Sequence, residues 1–255
     1  MKFSIVGISK KINKVRINVP SRRTIGVGVK FIILTLFPEA FESYLNVSLL
    51  KRAVAKKLVS FEIKNLRDWG EGVHKSVDAR PYGGGAGMVL RVDIIDRALR
   101  DLRLKVKDKR LKIILLTPQG QKFDQKLAVK LSKYKTIVLI CGRYEGFDER
   151  IRSLVDMEIS IGDFVLTGGE IPALVVLDTV ARLVPGVVGK EESLVHESFS
   201  DGLLEYPQYT RPEVFDKQKV PKVLLSGNHA KIDQWRKAEA LKRTKKRRPD
   251  LIKNA

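Results

Sequence analysis

Three short stretches of this 255-residue chain share one form, an apolar run followed at once by a turn-rich loop. They are IILLTPQGQ (113–121), IVLICGRYEG (137–146) and FVLTGGEIP (164–172). Glycines at 120, 142, 146, 162, 168 and 169 let the main chain approach a ligand closely. In open parallel sheets ligands sit beyond the carboxyl ends of the strands, where three such loops can converge. No loop matches G-x-G-x-x-G or the G-x-x-x-x-G-K-[ST] phosphate loop. The third belongs to IGDFVLTGGEIPALVVLDTV (161–180), which has no Lys or Arg but carries Asp163, Glu170 and Asp178. An acidic loop is a poor phosphate cradle. It suits a neutral or cationic ligand whose adenine and ribose are open to backbone contacts, and the sulfonium S-adenosylmethionine is of that kind. YGGGAGM (82–88) comes nearest to a glycine-rich phosphate loop, but no strong strand precedes it, and a mobile turn is the plainer reading.

Other reactive side chains are few. Asp178 and Arg182 stand i,i+4 on one face of an apolar helix, which fits an internal or interface ion pair and equally a catalytic role. The histidines at 74, 196 and 229 lack metal-ligand spacing, and His229 in SGNH reads as part of a turn or an RNA contact. Cys141 is the only cysteine, so no internal disulfide forms and a reducing cytoplasm is the natural home. It reads as a small buried residue rather than a catalytic thiol.

The elements that must position these residues alternate. Strands are expected at 31–36, in KIILLTPQG, in TIVLICGRYEG and in FVLTGGE; helices at 38–57, 93–102, 124–132 and over IPALVVLDTVARLVPG. Pro172 lies near that last helix's start and Pro185–Gly186 stops it. The pattern indicates an α/β protein with a mostly parallel sheet. After Gly189 the texture turns polar and turn-rich, a linker over 190–204, and 205–255 reads as a small helical domain with a basic surface.

Charge is uneven. The net charge is +20, with 44% hydrophobic and 31% charged residues. Residues 1–30 hold eight basic residues and no acid, and residues 231–255 hold ten basic residues against three acids. A basic end on a near-neutral body suits a polyanion such as nucleic acid, against the plainer alternative of a solvated Lys-rich surface. No apolar run reaches the ~18 residues that span a bilayer, so no membrane association is expected. Residues 1–28 show no hydrophobic period; they fit a transit peptide or, as favoured here, a disordered upstream extension with Val29 as the initiating codon.

Eight motifs, in order, give the chain a resemblance to the bacterial tRNA (guanine-N1-)-methyltransferase family of the SPOUT superfamily. They are LFPEAF (36–41), RPYGGGAGM (80–88), TPQGQ (117–121), CGRYEGFDERI (141–151), SIGDFVLTGGEIPA (160–173), PGVVG (185–189), SFSDGLLEYPQYTRP (198–212) and VPKVLLSGNH (220–229). The resemblance implies a deep trefoil knot in the sheet over 29–189, an exception to the usual absence of knots. It also implies a homodimer with the active site at the subunit interface, a C-terminal domain that helps hold tRNA, and methylation of N1 of the guanine at nucleotide 37, just 3′ of the anticodon.

Carried over by motif, the cofactor pocket comprises Pro118, Gly142, Ile161, Gly162, Asp163, Phe164, Val165, Leu166 and Gly169. Guanine N1 carries a proton at neutral pH, and its loss places negative charge on O6. The site therefore needs a general base and a cation or donor near O6. By resemblance these are Glu197, standing where the family has aspartate, and Arg182. Leu115 stands where several relatives carry Tyr. Glu145, Glu197 and Glu205 are candidate ligands for Mg²⁺. Lys245, Lys246, Arg247 and Arg248 are expected to contact tRNA phosphates. The alternatives are a SPOUT methyltransferase acting on another RNA, and a catalytically impaired RNA-binding homologue.

Overall fold

Odd and even residues of the first strand serve two different cores. In a computed structural model of the chain, which describes residues 28–105, 110–189, 194 and 197–253, strand β1 spans Val29–Thr35. Phe31 and Ile33 point into one apolar cluster, Ile32 and Leu34 into another, and all four are fully buried. Side chains on a strand alternate faces, so a strand apolar at every position must be covered on both sides. Each such side chain contributes about 1.5–3 kcal/mol on burial.

The covering helices follow from the other strands. Strands β2 (Val59–Asn65), β5 (Leu111–Lys122), β6 (Thr136–Cys141) and β7 (Met157–Ser160) join β1 in a five-stranded sheet of order β2-β1-β6-β5-β7, with every pair of neighbours parallel. The short strands β3 (Asp78–Ala79) and β4 (Val89–Leu90) form a separate antiparallel pair. Helices α1 (Glu42–Leu45), α2 (Ser48–Ala55), α4 (Gln125–Leu131) and α5 (Glu170–Ala181) supply the cluster on one face; α3 (Val92–Lys105) supplies the other through Ile94, Ile95, Ala98, Leu99 and Leu102. This is the α/β fold with a parallel sheet that the alternating pattern predicts.

Several expectations need correction. The helix expected over 38–57 is three pieces: a 3₁₀ turn at Pro38–Phe41, then α1 and α2. The Asn46 side chain donates to Glu42 O at 2.7 Å and ends α1, and Val47 is extended. Strand β2 was not anticipated because VSFEIKN is half polar. Among the described residues it pairs only with β1, and its Glu62 sits between Lys30 at 2.5 Å and Lys64 at 2.8 Å, the kind of charge that protects an edge. FVLTGGE is not a strand. The strand is Met157–Ser160 just before it; the Ser160 hydroxyl donates to Gly162 O at 3.0 Å, and Gly162 has φ +154.

Contacts divide the described residues at Gly189 into two compact units. The second contains a β8–β9 hairpin (Val214–Phe215, Gln218–Lys219) and helices α6 (Lys222–Leu225), α7 (His229–Arg247) and α8 (Asp250–Lys253). The tail therefore holds one long helix as well as short ones. Asn228 caps α7, its Oδ1 accepting from Lys231 N at 3.1 Å, which places SGNH at a helix start. Segment 204–209 packs on α7: Leu204 N donates to the buried Thr244 Oγ1 at 2.9 Å, Arg236 lies 5.0 Å from the Tyr206 ring centre, and Tyr209 meets Trp235. The extension expected at 1–28 lies, apart from Gly28, outside the described residues, as does much of the 190–204 linker.

Candidate functional site

Strand β5 carries an irregularity that builds half of the site. Both Leu116 and Gln121 stand opposite Ile159 of β7, so Thr117–Gly120 arch out of the ladder. Gly120 makes this possible: a Cβ there would lie 2.4 Å from Ile159 N. The arch, the loop after β6 and the loop after β7 enclose a cavity of about 290 Å³ at the carboxyl ends of their strands. All three stretches singled out by their form thus converge, as the switch-point rule for parallel sheets requires.

Of the nine residues named for the cofactor, Pro118, Gly142, Ile161, Gly162, Phe164, Val165, Leu166 and Gly169 line this cavity; Asp163 does not. Phe164, Val165 and Leu166 are 53%, 85% and 38% exposed, so the apolar run once read as a strand presents its side chains outside the core. Gly169 N donates to Gly142 O at 2.9 Å and ties the loop end to β6. Leu115 lines the cavity while fully buried in the α3-side core.

The lining also holds Glu145, Asp148 and Glu149 against Arg143 and Arg152. Arg152 pairs with Glu149 at 2.8 Å and with Glu158, and also binds the Gln119 side chain of the arch. Arg150 hydrogen-bonds the Asp148 carboxylate and holds it below the usual range. Arg143 pairs with Glu170. The arginines are engaged and acids are in excess, so the wall favours a cation over a phosphate. S-adenosylmethionine fits such a wall: main chain for its adenosine, carboxylates for its sulfonium.

The remaining candidates lie elsewhere. In α5, the Asp178 carboxylate accepts the Tyr44 hydroxyl; burial first, then this negative charge, raise the Tyr44 pKa. Arg182 caps the helix, half-buried, its N–H on Asp178 O at 3.1 Å. Glu197 and Glu205 belong to the second unit. Glu197 O accepts from Ser200 N at 3.2 Å, and the Glu205 carboxylate takes the Gln208 amide at 2.5 Å. Among the described residues no three His, Cys, Asp or Glu side chains are placed to hold a metal ion. The Mg²⁺ set of Glu145, Glu197 and Glu205 is therefore not preassembled within either unit. Lys245, Lys246, Arg247 and Arg248 are all exposed at the end of α7, with Arg248 paired to Asp250 at 2.6 Å. Cys141 is fully buried, and desolvation, aided by the Glu170 charge, pushes its thiol well up, away from nucleophilic use. Among the described residues no helix is long and apolar enough to cross a membrane.

Three residues outside the candidate set, Thr35, Arg143 and Glu170, meet at the cavity wall. Thr35 donates to Glu170 Oε1 at 2.7 Å across 135 residues of chain. A charged residue placed between a glycine pair and an apolar helix was the available signal.

Comparison with known proteins identifies the family. The family model described as tRNA (Guanine-1)-methyltransferase TrmD matches residues 29–254. A tRNA (guanine-N(1)-)-methyltransferase of Bacillus pumilus is 56% identical over 225 residues, covering 88% of this chain and 92% of the relative. Proteins of the same name from Dictyoglomus turgidum (54%; 86% and 88% covered) and Bacillus subtilis (53%; 89% and 93% covered) are also similar. With its glycine-lined cavity at the strand ends and a match along nearly its whole length, the chain belongs to the tRNA (guanine-1)-methyltransferase family.

Proposed function

We propose that this protein transfers a methyl group from S-adenosylmethionine to N1 of the guanine at nucleotide 37 of tRNA. The observation that carries the reading is the convergence of three glycine-bearing loops on one acid-rich cavity, in a chain of this family. When bound, the cofactor supplies an electrophilic methyl carbon on a positively charged sulfur. The chain's residues do the rest. The main chain around Gly142, Gly162 and Gly169 holds the adenosine, and Glu145 and Asp148 favour the positive charge. Glu197 takes the N1 proton as general base, so that the N1 electron pair forms the new N–CH₃ bond while the S–CH₃ bond breaks. Arg182 faces the negative charge that develops on O6.

Further parts of the reading rest on the family. The segment 29–189 forms a deep trefoil knot, two copies assemble so that each site lies at their interface, and the unit after 189 holds tRNA through Lys245, Lys246, Arg247 and Arg248. Residues 190–204 link the two, residues 1–28 lie outside the catalytic fold, and the protein works in the cytoplasm.

Single-turnover methyl transfer tests the base. Glu197→Gln should bind cofactor and tRNA normally and transfer methyl roughly 10²–10⁴-fold more slowly, the usual range for a general base. Glu197→Asp should keep substantial activity. A Gln variant as fast as the parent moves the base to Glu145 or Glu205.

A further inference from the structure

At the cavity wall, an ion pair between the half-buried Arg143 and the buried Glu170 touches both the sheet and the loop. Glu170 opens α5 and is 4% exposed. Its Oε1 accepts from Thr35 Oγ1, itself fully buried at the end of β1. Its Oε2 lies 3.1 Å from Arg143 Nη2. Arg143 in turn donates from Nη1 to Thr167 O at 3.1 Å, and its guanidinium sits 4.3 Å from the Phe37 ring centre. One chain of contacts thus runs from β1 through Glu170 and Arg143 to the last turn of the cavity loop.

We propose that Arg143 and Glu170 are positioning residues that hold the main chain of Thr167–Gly169 in the shape the cofactor requires. This rests on the reading of the cavity as the S-adenosylmethionine site. Two details favour a positioning role over simple stabilisation. Burying the Glu170 carboxylate is costly, and an apolar replacement of similar volume often serves stability as well. The pair is also not saturated, since Arg143 Nε and Glu170 Oε2 are buried without a hydrogen-bond partner of proper geometry. Here the guanidinium is oriented by the Thr167 carbonyl and the Phe37 face instead. Loop and pair also share one volume: a Cβ at Gly168 would lie 2.4 Å from Arg143 Nε and 2.5 Å from Glu170 Oε2. The pair therefore sets where residue 168 runs, and through it where Gly169 meets Gly142.

The test separates cofactor binding from chemistry. Glu170→Gln keeps an acceptor for Thr35 but removes the charge facing Arg143; Arg143→Lys keeps the charge but loses the fork that reaches Thr167 and Glu170 together. Each should raise the KM for S-adenosylmethionine, and the calorimetric Kd for S-adenosylhomocysteine, about 10–100-fold, the loss expected for one or two charge-assisted bonds. The kcat at saturating cofactor and the KM for tRNA should stay within about 3-fold. Phe37→Ala removes only the partly exposed ring over the guanidinium and should raise the same KM about 2–5-fold. It settles the matter with Arg143→Lys if Glu170→Gln does not fold. Unchanged cofactor affinity in the folded variants, or a fall in kcat with KM unmoved, overturns the inference. Leu166→Trp, which fills the cavity, isolates the underlying reading. If it blocks cofactor binding while the pair variants bind normally, only the positioning role fails. If it binds cofactor like the parent, both fail.

Discussion

Replacing Gly169 by alanine adds one methyl group where the loop after β7 meets the end of β6. Its Cβ would stand 2.6 Å from Cys141 Cα, 2.7 Å from Gly142 N and 3.0 Å from Cys141 C, all backbone atoms. Ordinary contact begins near 3.4 Å, so the loop must withdraw from the strand by about 0.8 Å. Backbone strain is not the issue, since Gly169 has φ −84. Overpacking of this kind costs about 1–3 kcal/mol, and alanine is a poorer helix N-cap than glycine. A loss of about 2–3 kcal/mol lowers Tm by about 4–12 °C in a chain of this size. The same displacement widens the wall between Gly142 and Gly169. Sites feel shifts of about 1 Å, so methyl transfer should fall by up to about 10²-fold. Scanning calorimetry and single-turnover assays read both effects. Two comparisons sharpen the case. At Gly142 the added Cβ is crowded by the Phe147 ring, at 2.7 Å, with the Leu116 carbonyl at an ordinary 3.7 Å, and a side chain can turn aside. At Gly189 it meets nothing within 4 Å. Gly142→Ala should therefore lose less stability than Gly169→Ala, and Gly189→Ala should lie within about 0.5 kcal/mol of the parent. If Gly169→Ala melts within 1 °C of the parent (a shift of about a quarter to half a kcal/mol), the close approach of loop and strand is wrong.

Three further outcomes follow from particular contacts. Asp148 has a depressed carboxyl pKa because Arg150 hydrogen-bonds it, so its stabilisation is complete above the unfolded value of about 3.9 and disappears as pH falls through the folded value. Asp148→Asn, which keeps the side-chain oxygen that accepts from Arg150 N at 3.0 Å, should cost at most about 1 kcal/mol at pH 7 in chemical denaturation, and nothing once pH is well below 3.9; a cost that persists in acid would show that charge is not its source. Reversing Lys245, Lys246, Arg247 and Arg248 should weaken tRNA binding and reduce the magnitude of its log–log salt slope by up to about 3, without changing cofactor affinity; an unaltered slope would mark them as solvated surface. Sedimentation at micromolar concentration should give twice the 28.8 kDa chain mass, and a fully active monomer would remove the shared-site model.

What the sequence revealed depended on where apolar side chains ended up. Strands β1 and β6 and the Ile113–Leu116 part of β5 are buried on both faces and so read as unbroken apolar runs. β2 lies at the edge with Glu62 between two lysines, and its alternating polarity concealed it. Phe164–Leu166 were misread because their apolar side chains face a cavity and solvent, which periodicity cannot distinguish from a core. The cavity itself was legible because close backbone approach demands glycine, and glycine is visible in sequence. Asp163 shares the motif but is exposed and does not line the cavity. The Thr35–Glu170 bond was beyond reach, since it joins residues that only the finished sheet brings together. The placement of Glu197 and Arg182 about one guanine is of the same long-range kind, and stays a proposal.

The central claim is tested most directly by mass spectrometry of tRNA after incubation with the protein and S-adenosylmethionine. The account requires one added methyl group, on N1 of guanine 37, and none when that nucleotide is adenine. A methyl group on another atom or nucleotide, or tRNA left unmodified by folded protein that binds the cofactor, would contradict it.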